Sequence, residues 1–323
     1  MRVRQSKRLK RQRRSAVQAS ESTEPEVHLT GLPIASPIGF MAALGLLRIC
    51  AQDHGQRVRL SWSANHARLH GLGTEALAEL LNEHMRGRSK AAEFNFEVTD
   101  DNGKRGLVTH LRTIPPGDYR AAVAACRGDP RALAFLAGFA TDAVITERGF
   151  VARNKLDFSS GQQKLIEEFR ALAEILDPSR RRPRVPLAVR IDRALFGGPY
   201  EEQSSFGWDP AALMTHAHQR IAPTDSKTPG QPMMVWLAIE ALPLHPVVPT
   251  GPRQQVQTTG FAGSAAYVWP QWNDPLSLQE ATLLRQRPVD TLDRLPGVSA
   301  IWSSTVTGVG VGKYGILQPA ART

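Results

Sequence analysis

The chain has 323 residues, 41% hydrophobic and 7% aromatic, so it is long enough to bury a substantial core. Its formal net charge is +10, but residues 1–14 contribute eight basic side chains and no acidic one. The rest of the chain therefore carries 32 basic and 30 acidic residues and is close to neutral. The two cysteines, Cys50 and Cys126, lie far apart in apolar stretches, which argues against a disulfide framework and favours a reducing compartment.

The N-terminal segment, residues 1–26, is basic and then rich in serine and glutamate, with almost nothing to bury. We predict that this tail is disordered and that folded structure begins near Val27. No apolar region follows the basic run, which argues against a secretory signal. The most apolar stretch, Ile34–Cys50, contains proline and glycine and is too short to span a bilayer. We therefore expect a cytoplasmic protein without a membrane role.

Apolar patterning predicts a single domain over residues 27–323, with a division near the Gly/Pro-rich residues 198–230 as the alternative. VHLTG at residues 27–31 predicts a strand, and Ser36 followed by Pro37 predicts the start of an apolar helix. Further strands are predicted at Val58–Trp62, Phe94–Val98, Gln255–Thr259, Tyr267–Trp269 and Ala300–Val306. Further helices are predicted from Thr74 and at Tyr119–Cys126, Arg131–Val144, Ser160–Leu176, Val185–Phe196, Met233–Leu242 and Leu276–Arg285. Strands at both ends around a mainly helical middle indicate an α+β fold.

A proline-bounded loop between two predicted helices concentrates basic residues. Four arginines lie in the loop and two on the next helix: Arg180, Arg181, Arg182, Arg184, Arg190 and Arg193. Guanidinium groups bind phosphates bidentately, and such contacts give salt-sensitive affinity without reading base sequence. Asp177 and Asp192 are too few to neutralise these arginines. We therefore favour a phosphate contact, with a merely solvated loop as the alternative.

A second candidate contact precedes the helix predicted at Ser160–Leu176. Its polar residues are Arg153, Lys155, Ser159, Ser160, Gln162 and Gln163. Helix N-termini bind anions, so a phosphate near the two serines, with the glutamines as donors, is one interpretation. An ordinary capped helix with an exposed first turn explains the same pattern.

The glycine-rich tract GVGVGKYG, residues 308–315, departs from the phosphate-binding loop of nucleotidases. Thr307 stands where that pattern requires glycine, and Tyr314 where it requires a magnesium-binding Ser or Thr. We interpret the tract as a structural turn, with contact between Lys313 and an RNA backbone as the alternative.

The remaining candidates are histidines and tryptophans. His216 and His218 form an isolated H-x-H, which is weak support for a metal site, and we expect no metal and no cofactor. Trp208 and Trp272 are candidates for stacking on bases, although such tryptophans are more often part of a core. No nucleophile-elbow pattern is present, and we predict no catalytic residue.

Several phrases together resemble one family. In chain order they are GLPIASPIGFMAALGLLRI (31–49), NKLDFSSGQQKLIEEF (154–169), FGWDP (206–210), LAIEALPLHP (237–246), TTGF (258–261) and YVWPQW (267–272). They are similar to large-subunit-like CRISPR-associated proteins of the type I-U (I-G) Cascade effector complex, over about Val27–Tyr314. The resemblance implies a non-catalytic subunit that assembles on a guide RNA with other CRISPR-associated subunits and recruits a separate helicase-nuclease.

We therefore expect a subunit of an antiviral surveillance complex that holds the backbone of guide RNA or target DNA. Two alternatives remain open at this point. One is a metal-independent ribonuclease that processes guide RNA, which requires only a suitably placed His, Tyr or Lys. The other is a scaffold that contacts only proteins, with the basic tail as a nonspecific anchor.

Overall fold

The computed structural model describes residues 24–100, 103–161, 163–211, 229–251, 255–263, 265–309 and 314–323. The α-helices in these ranges are α1 (Pro37–Arg48), α2 (Thr74–His84), α3 (Pro116–Ala125), α4 (Pro130–Phe139), α5 (Leu165–Leu176), α6 (Leu187–Phe196), α7 (Pro232–Glu240) and α8 (Leu278–Arg285). The strands are β1 (Glu26–Pro33), β2 (Arg59–Ser63), β3 (His66–His70), β4 (Glu97–Thr99), β5 (Arg105–Leu107), β6 (Ala140–Ile145), β7 (Val151–Arg153), β8 (Glu201–Glu202), β9 (Pro229–Gly230), β10 (Val247–Thr250), β11 (Gln255–Thr258), β12 (Phe261–Ala262), β13 (Ala266–Trp272), β14 (Val298–Val309), β15 (Tyr314–Leu317) and β16 (Ala321–Arg322). The predicted α+β class is confirmed.

The N-terminal sheet is antiparallel, with β3 between β1 and β2. Along β1, Val27 and Leu29 are buried while His28 and Thr30 are exposed, as expected for a strand with one face on the core. Helix α1 follows, and its predicted N-cap is confirmed because the Gly39 amide donates to Ser36 Oγ at 3.4 Å.

Helices α1 and α7 form the centre of the fold, and every residue of both is buried. Their backbones approach very closely at Gly45. A Cβ atom added there would lie 1.8 Å from the carbonyl oxygen of Leu237, so glycine is required by the close approach of the two helices.

The C-terminal sheet has the order β12-β13-β14-β15, with β16 also paired to β14. Tryptophans on β13 join it to the N-terminal part of the chain. Trp269 Nε1 donates to the carbonyl of Ile34 at 2.9 Å, and Trp272 Nε1 donates to the carbonyl of Leu60 at 2.8 Å. Buried side chains from Val27 to Leu317 consequently form one core.

Three predicted elements are wrong in part. The strand predicted at Phe94–Val98 begins only at Glu97, because Ala92–Phe94 forms a 3₁₀ helix. The helix predicted at Arg131–Val144 ends at Phe139, because Ala140–Ile145 pairs with β7 as a strand. The helix predicted at Ser160–Leu176 begins only at Leu165. Residues 1–23 of the predicted tail and 212–228 of the Gly/Pro-rich loop lie outside the described ranges, so the tail and the domain division stay predictions.

Candidate nucleic-acid interface

The arginine-rich loop, residues 177–186, connects α5 to α6. Pro178 follows the C-cap of α5, and Pro186 is the N-cap residue of α6, so proline limits helix extension from both sides. The four arginines predicted to bind phosphate are all exposed: Arg180, Arg181, Arg182 and Arg184. Arg182 has a φ of 51°, in the left-handed region that is costly for a residue other than glycine. Within the described ranges, none of the four guanidinium groups forms an ion pair or a hydrogen bond.

Asp177 fixes the start of this loop. Its Oδ1 accepts hydrogen bonds from the amide and hydroxyl of Ser179 at 2.8 and 2.6 Å, and its Oδ2 accepts from the amide of Gly87 at 3.0 Å. Burial disfavours the carboxylate, but these hydrogen bonds and nearby Arg86 outweigh it and hold the pKa of Asp177 below its ordinary value. The carboxylate therefore stays ionised and joins the loop to residues 85–90.

Arg190 does not belong to this surface, and its predicted phosphate contact is corrected. Its side chain is buried, with Nη2 donating to Glu201 Oε2 at 2.7 Å and Nη1 donating to the carbonyl of Ile175 at 3.0 Å. Arg193 shares the same carboxylate at 3.5 Å. Both arginines pair with Glu201, whose one negative charge balances only one of them, and Arg190 links α6 to β8 and to the end of α5.

The Arg153 and Lys155 side chains are also engaged within the protein. Arg153 Nη1 lies 2.7 Å from Oδ2 of the buried Asp157, and Lys155 Nζ donates to the carbonyl of Gly263 at 2.7 Å. Burial lowers the pKa of Lys155. Lys155 also lines an open groove of about 770 Å³ with Ile145, but its ammonium group is already hydrogen-bonded there. These residues are weaker candidates for a phosphate contact than the arginine-rich loop.

The anion site predicted at the start of the Ser160–Leu176 helix is wrong. Since α5 begins at Leu165, the predicted N-cap serines lie outside the helix. Thr109 supplies the acceptor instead, because its carbonyl accepts from the amides of Ile166 and Glu167 at 2.9 and 3.3 Å. Gln163 Oε1 accepts from the Ser160 amide at 2.9 Å, so this side chain is used locally. Gln162 lies outside the described residues.

Trp208 is a core residue, and the prediction that it stacks on bases is corrected. It is fully buried, and its Nε1 donates to the carbonyl of Leu156 at 2.9 Å. Its ring lies 5.4 Å from that of Phe206 and 6.2 Å from that of Phe169. Trp272 is equally buried. Neither ring has an accessible face for a base.

The glycine-rich tract forms part of the C-terminal sheet on both of its described sides. Gly308 pairs with Gly315, and Val309 pairs with Tyr314. A Cβ at Gly315 would lie 2.9 Å from the ring of Phe158, which supports the structural interpretation of this glycine. Lys313 lies outside the described residues, as do His216 and His218.

The sequence reasoning missed a buried ionic cluster between the central helices. It consists of Arg48, Asp53, His84, Glu93, Arg131 and Glu240. Arg131 Nη2 donates to both Glu240 carboxylate oxygens at 2.7 and 2.8 Å, and Arg48 also pairs with this carboxylate. Burial disfavours the Glu240 charge, but the two arginines and His84 hold its pKa well below the ordinary value. A lone Arg48 and a lone Glu240 in otherwise apolar helices were the available signal.

Three members of this cluster could be considered for a metal site. Ligand atoms of Asp53, His84 and Glu240 all lie within 4.8 Å of one another. However, the guanidinium groups of Arg48 and Arg131 already bind both carboxylates. A divalent cation would have to displace two positive charges from these oxygens, so the donor set fits a structural ion-pair network and does not fit a metal.

Comparison with known proteins adds no relative to this picture. A scan against models of protein families finds none that matches, and a search of curated proteins finds no match. No helix in the described ranges has both the length and the apolar character of a membrane span. The exposed arginine-rich loop is therefore the candidate site that rests most directly on the chain's own residues.

Proposed function

We propose that this chain is a non-catalytic, nucleic-acid-binding subunit of a cytoplasmic, RNA-guided CRISPR surveillance complex. In this proposal the arginine-rich loop binds the sugar–phosphate backbone of guide RNA or target DNA. Other CRISPR-associated subunits and a separate helicase-nuclease complete the assembly. The family resemblance of the sequence phrases supports the assembly, and the loop supports the nucleic-acid contact.

One observation carries the nucleic-acid contact: four consecutive or nearly consecutive arginines are exposed, and within the described ranges none has an internal partner. Elsewhere in the fold, arginines such as Arg131 and Arg190 are paired with carboxylates. An unpaired guanidinium can bind a phosphate without first losing a protein partner. Such contacts release counterions, so they make affinity fall as salt rises.

The test is the salt dependence of binding. Fluorescence anisotropy with a labelled single-stranded RNA and the matching DNA gives the dissociation constant between about 50 and 200 mM salt. In the full-length chain, replacing Arg181, Arg182 and Arg184 together with glutamine should reduce the slope of log K against log salt by about 2 to 3. An unchanged slope would remove the loop from the proposed function.

A matched control removes the same charge from paired arginines. The triple Gln variant of Arg105, Arg120 and Arg294 changes exposed side chains that pair with Glu97, Asp142 and Asp293. We expect its slope to stay close to that of the unmodified chain. An equal loss in both triple variants would indicate a general charge effect and no specific site.

Two further measurements separate the alternatives. Incubation with precursor repeat RNA should leave the RNA intact, and specific cleavage that is lost on replacing one histidine would establish the ribonuclease alternative. Deletion of residues 1–26 should leave measurable nucleic-acid affinity in the body. Complete loss of affinity on this deletion would favour the protein-only scaffold.

A further inference from the structure

A second basic segment, residues 85–90, lies beside the arginine-rich loop. Helix α2 ends at His84, and Gly87 turns the chain with a φ of 67°, a conformation that favours glycine. Met85 is fully buried and anchors the segment, whereas Arg86 and Lys90 are exposed. In the part of the chain that the structure describes, neither side chain lies within ion-pair distance of a carboxylate, although the charge of Arg86 is near enough to lower the pKa of Asp177.

Asp177 holds the two segments together. Its Oδ2 accepts from the Gly87 amide at 3.0 Å while its Oδ1 accepts from Ser179, so one carboxylate contacts both chain segments. Helix α5 also packs on residues 88–90. The hydrogen bond from the Gly87 amide and the packing of α5 on residues 88–90 together give the loop and the segment a defined mutual position.

The charge of the combined surface is strongly positive. Its exposed basic residues are Arg86, Lys90, Arg180, Arg181, Arg182 and Arg184, whereas Arg88 is half-buried and its charge acts on the buried Glu93. The acidic residues of the adjoining turns are Glu83, Glu174 and Asp177, and the Asp177 carboxylate is already occupied by hydrogen bonds. The surface therefore has more cationic groups than its own carboxylates can neutralise, as a polyanionic partner requires.

We propose that residues 85–90 and the arginine-rich loop form one phosphate-binding surface, in which Arg86 and Lys90 contact a nucleic-acid backbone and Asp177 is the positioning residue. This inference rests on the proposed function and extends it to a second segment. Phosphate contacts from two segments cover a longer stretch of backbone than the loop alone. Residues 85–90 add positive charge to the surface, and Asp177 fixes the position of these residues relative to the arginine-rich loop.

The first test neutralises the second segment in the full-length chain. The Arg86→Gln/Lys90→Gln variant should reduce the salt slope by about 1.4 to 1.8, the effect of two phosphate contacts. Arg57→Gln/Arg287→Gln removes two exposed charges from other segments and should leave the slope unchanged. If the loop variant lowers the slope and Arg86→Gln/Lys90→Gln does not, the extension fails and the proposed function stands. If neither variant lowers it, the proposed function itself fails.

The second test uses the sign of the effect at Asp177. Asp177→Ala removes a negative charge from a basic surface, so charge alone predicts tighter binding. If Asp177 positions the two segments, its removal should instead lower the affinity about fivefold, which corresponds to the loss of one net hydrogen bond. Glu174→Gln removes a neighbouring exposed carboxylate and should not weaken binding.

Circular dichroism on each variant confirms that it is folded before its affinity is compared. Unchanged or tighter binding by Asp177→Ala would overturn the positioning role. Parallel titrations with RNA, DNA and duplex identify which backbone the surface prefers.

Discussion

Glu240→Gln should destabilise the fold strongly, because this carboxylate is the centre of the buried ionic cluster. Glu240 is fully buried, as is the Arg48 side chain, and the Arg131 side chain is only 14% exposed. The carboxamide has nearly the same size, so the substitution removes the charge without creating a cavity. It leaves two buried guanidinium groups to share Asp53 and Glu93. Because these two carboxylates still balance the two guanidinium groups, the loss is that of the charge-assisted hydrogen bonds to Glu240, about 1.5 to 3 kcal/mol for each bond that the carboxamide cannot replace.

The measurement is equilibrium unfolding in urea followed by tryptophan fluorescence. Glu240→Gln should lower the urea concentration at the unfolding midpoint and leave the slope of the unfolding free energy against urea concentration unchanged. A lower midpoint with the same slope means that stability alone has changed. Glu97→Gln is the matched control, because the Glu97–Arg105 pair is 2.8 Å long but both side chains are largely exposed. This control should lose about 0 to 1 kcal/mol. Equal losses in the two variants would refute the structural role of the cluster.

Two further predictions concern the core. Gly45→Ala should lower the free energy of unfolding in urea by about 1 to 3 kcal/mol, because the added Cβ would force the carbonyl of Leu237 away. Gly117→Ala is the control, since Gly117 has open space around it, and this variant should be as stable as the unmodified chain or more stable. Burial, assisted by Arg285, holds the pKa of His245 well below its ordinary 6.5, so the unfolded chain binds a proton more readily than the folded protein. The free energy of unfolding should therefore fall as the pH drops below 6.5. His245→Gln should reduce the slope of the unfolding free energy against pH by up to about 1.4 kcal/mol per pH unit. Equal slopes in the variant and the unmodified chain would contradict this prediction.

Local sequence patterns predicted the elements whose determinants are local. Helix α1 has its N-cap serine and first-turn proline in the sequence itself, and the structure has both in their expected roles. The helix predicted through Val144 failed because strand β6 gains its hydrogen bonds from β7, which no local pattern encodes. Helix α5 begins late for a similar reason, since its first amides use the carbonyl of Thr109.

The candidate site shows the same limit at the level of side chains. Arg182 and Arg190 have the same chemistry and lie close in sequence, yet one is exposed and the other is buried against Glu201. The sequence makes Trp208 a candidate for stacking on bases, but in the structure its indole Nε1 donates to the carbonyl of Leu156. Composition gives the number of charges and rings, but only the tertiary contacts decide which of them a partner can reach.

Internal pairing also changes how the net charge should be interpreted. The 32 basic and 30 acidic residues outside the first fourteen nearly cancel in sum, but they do not cancel at every place. Carboxylates such as Glu240 and Glu201 neutralise arginines inside the fold, so they contribute little field at the arginine-rich loop. The cations beside Asp177, which have no ion-pair partner among the described residues, therefore dominate their own surface although the body is almost neutral. Binding by this surface should depend on salt as a cluster of cations does, even when the tail, residues 1–26, is removed.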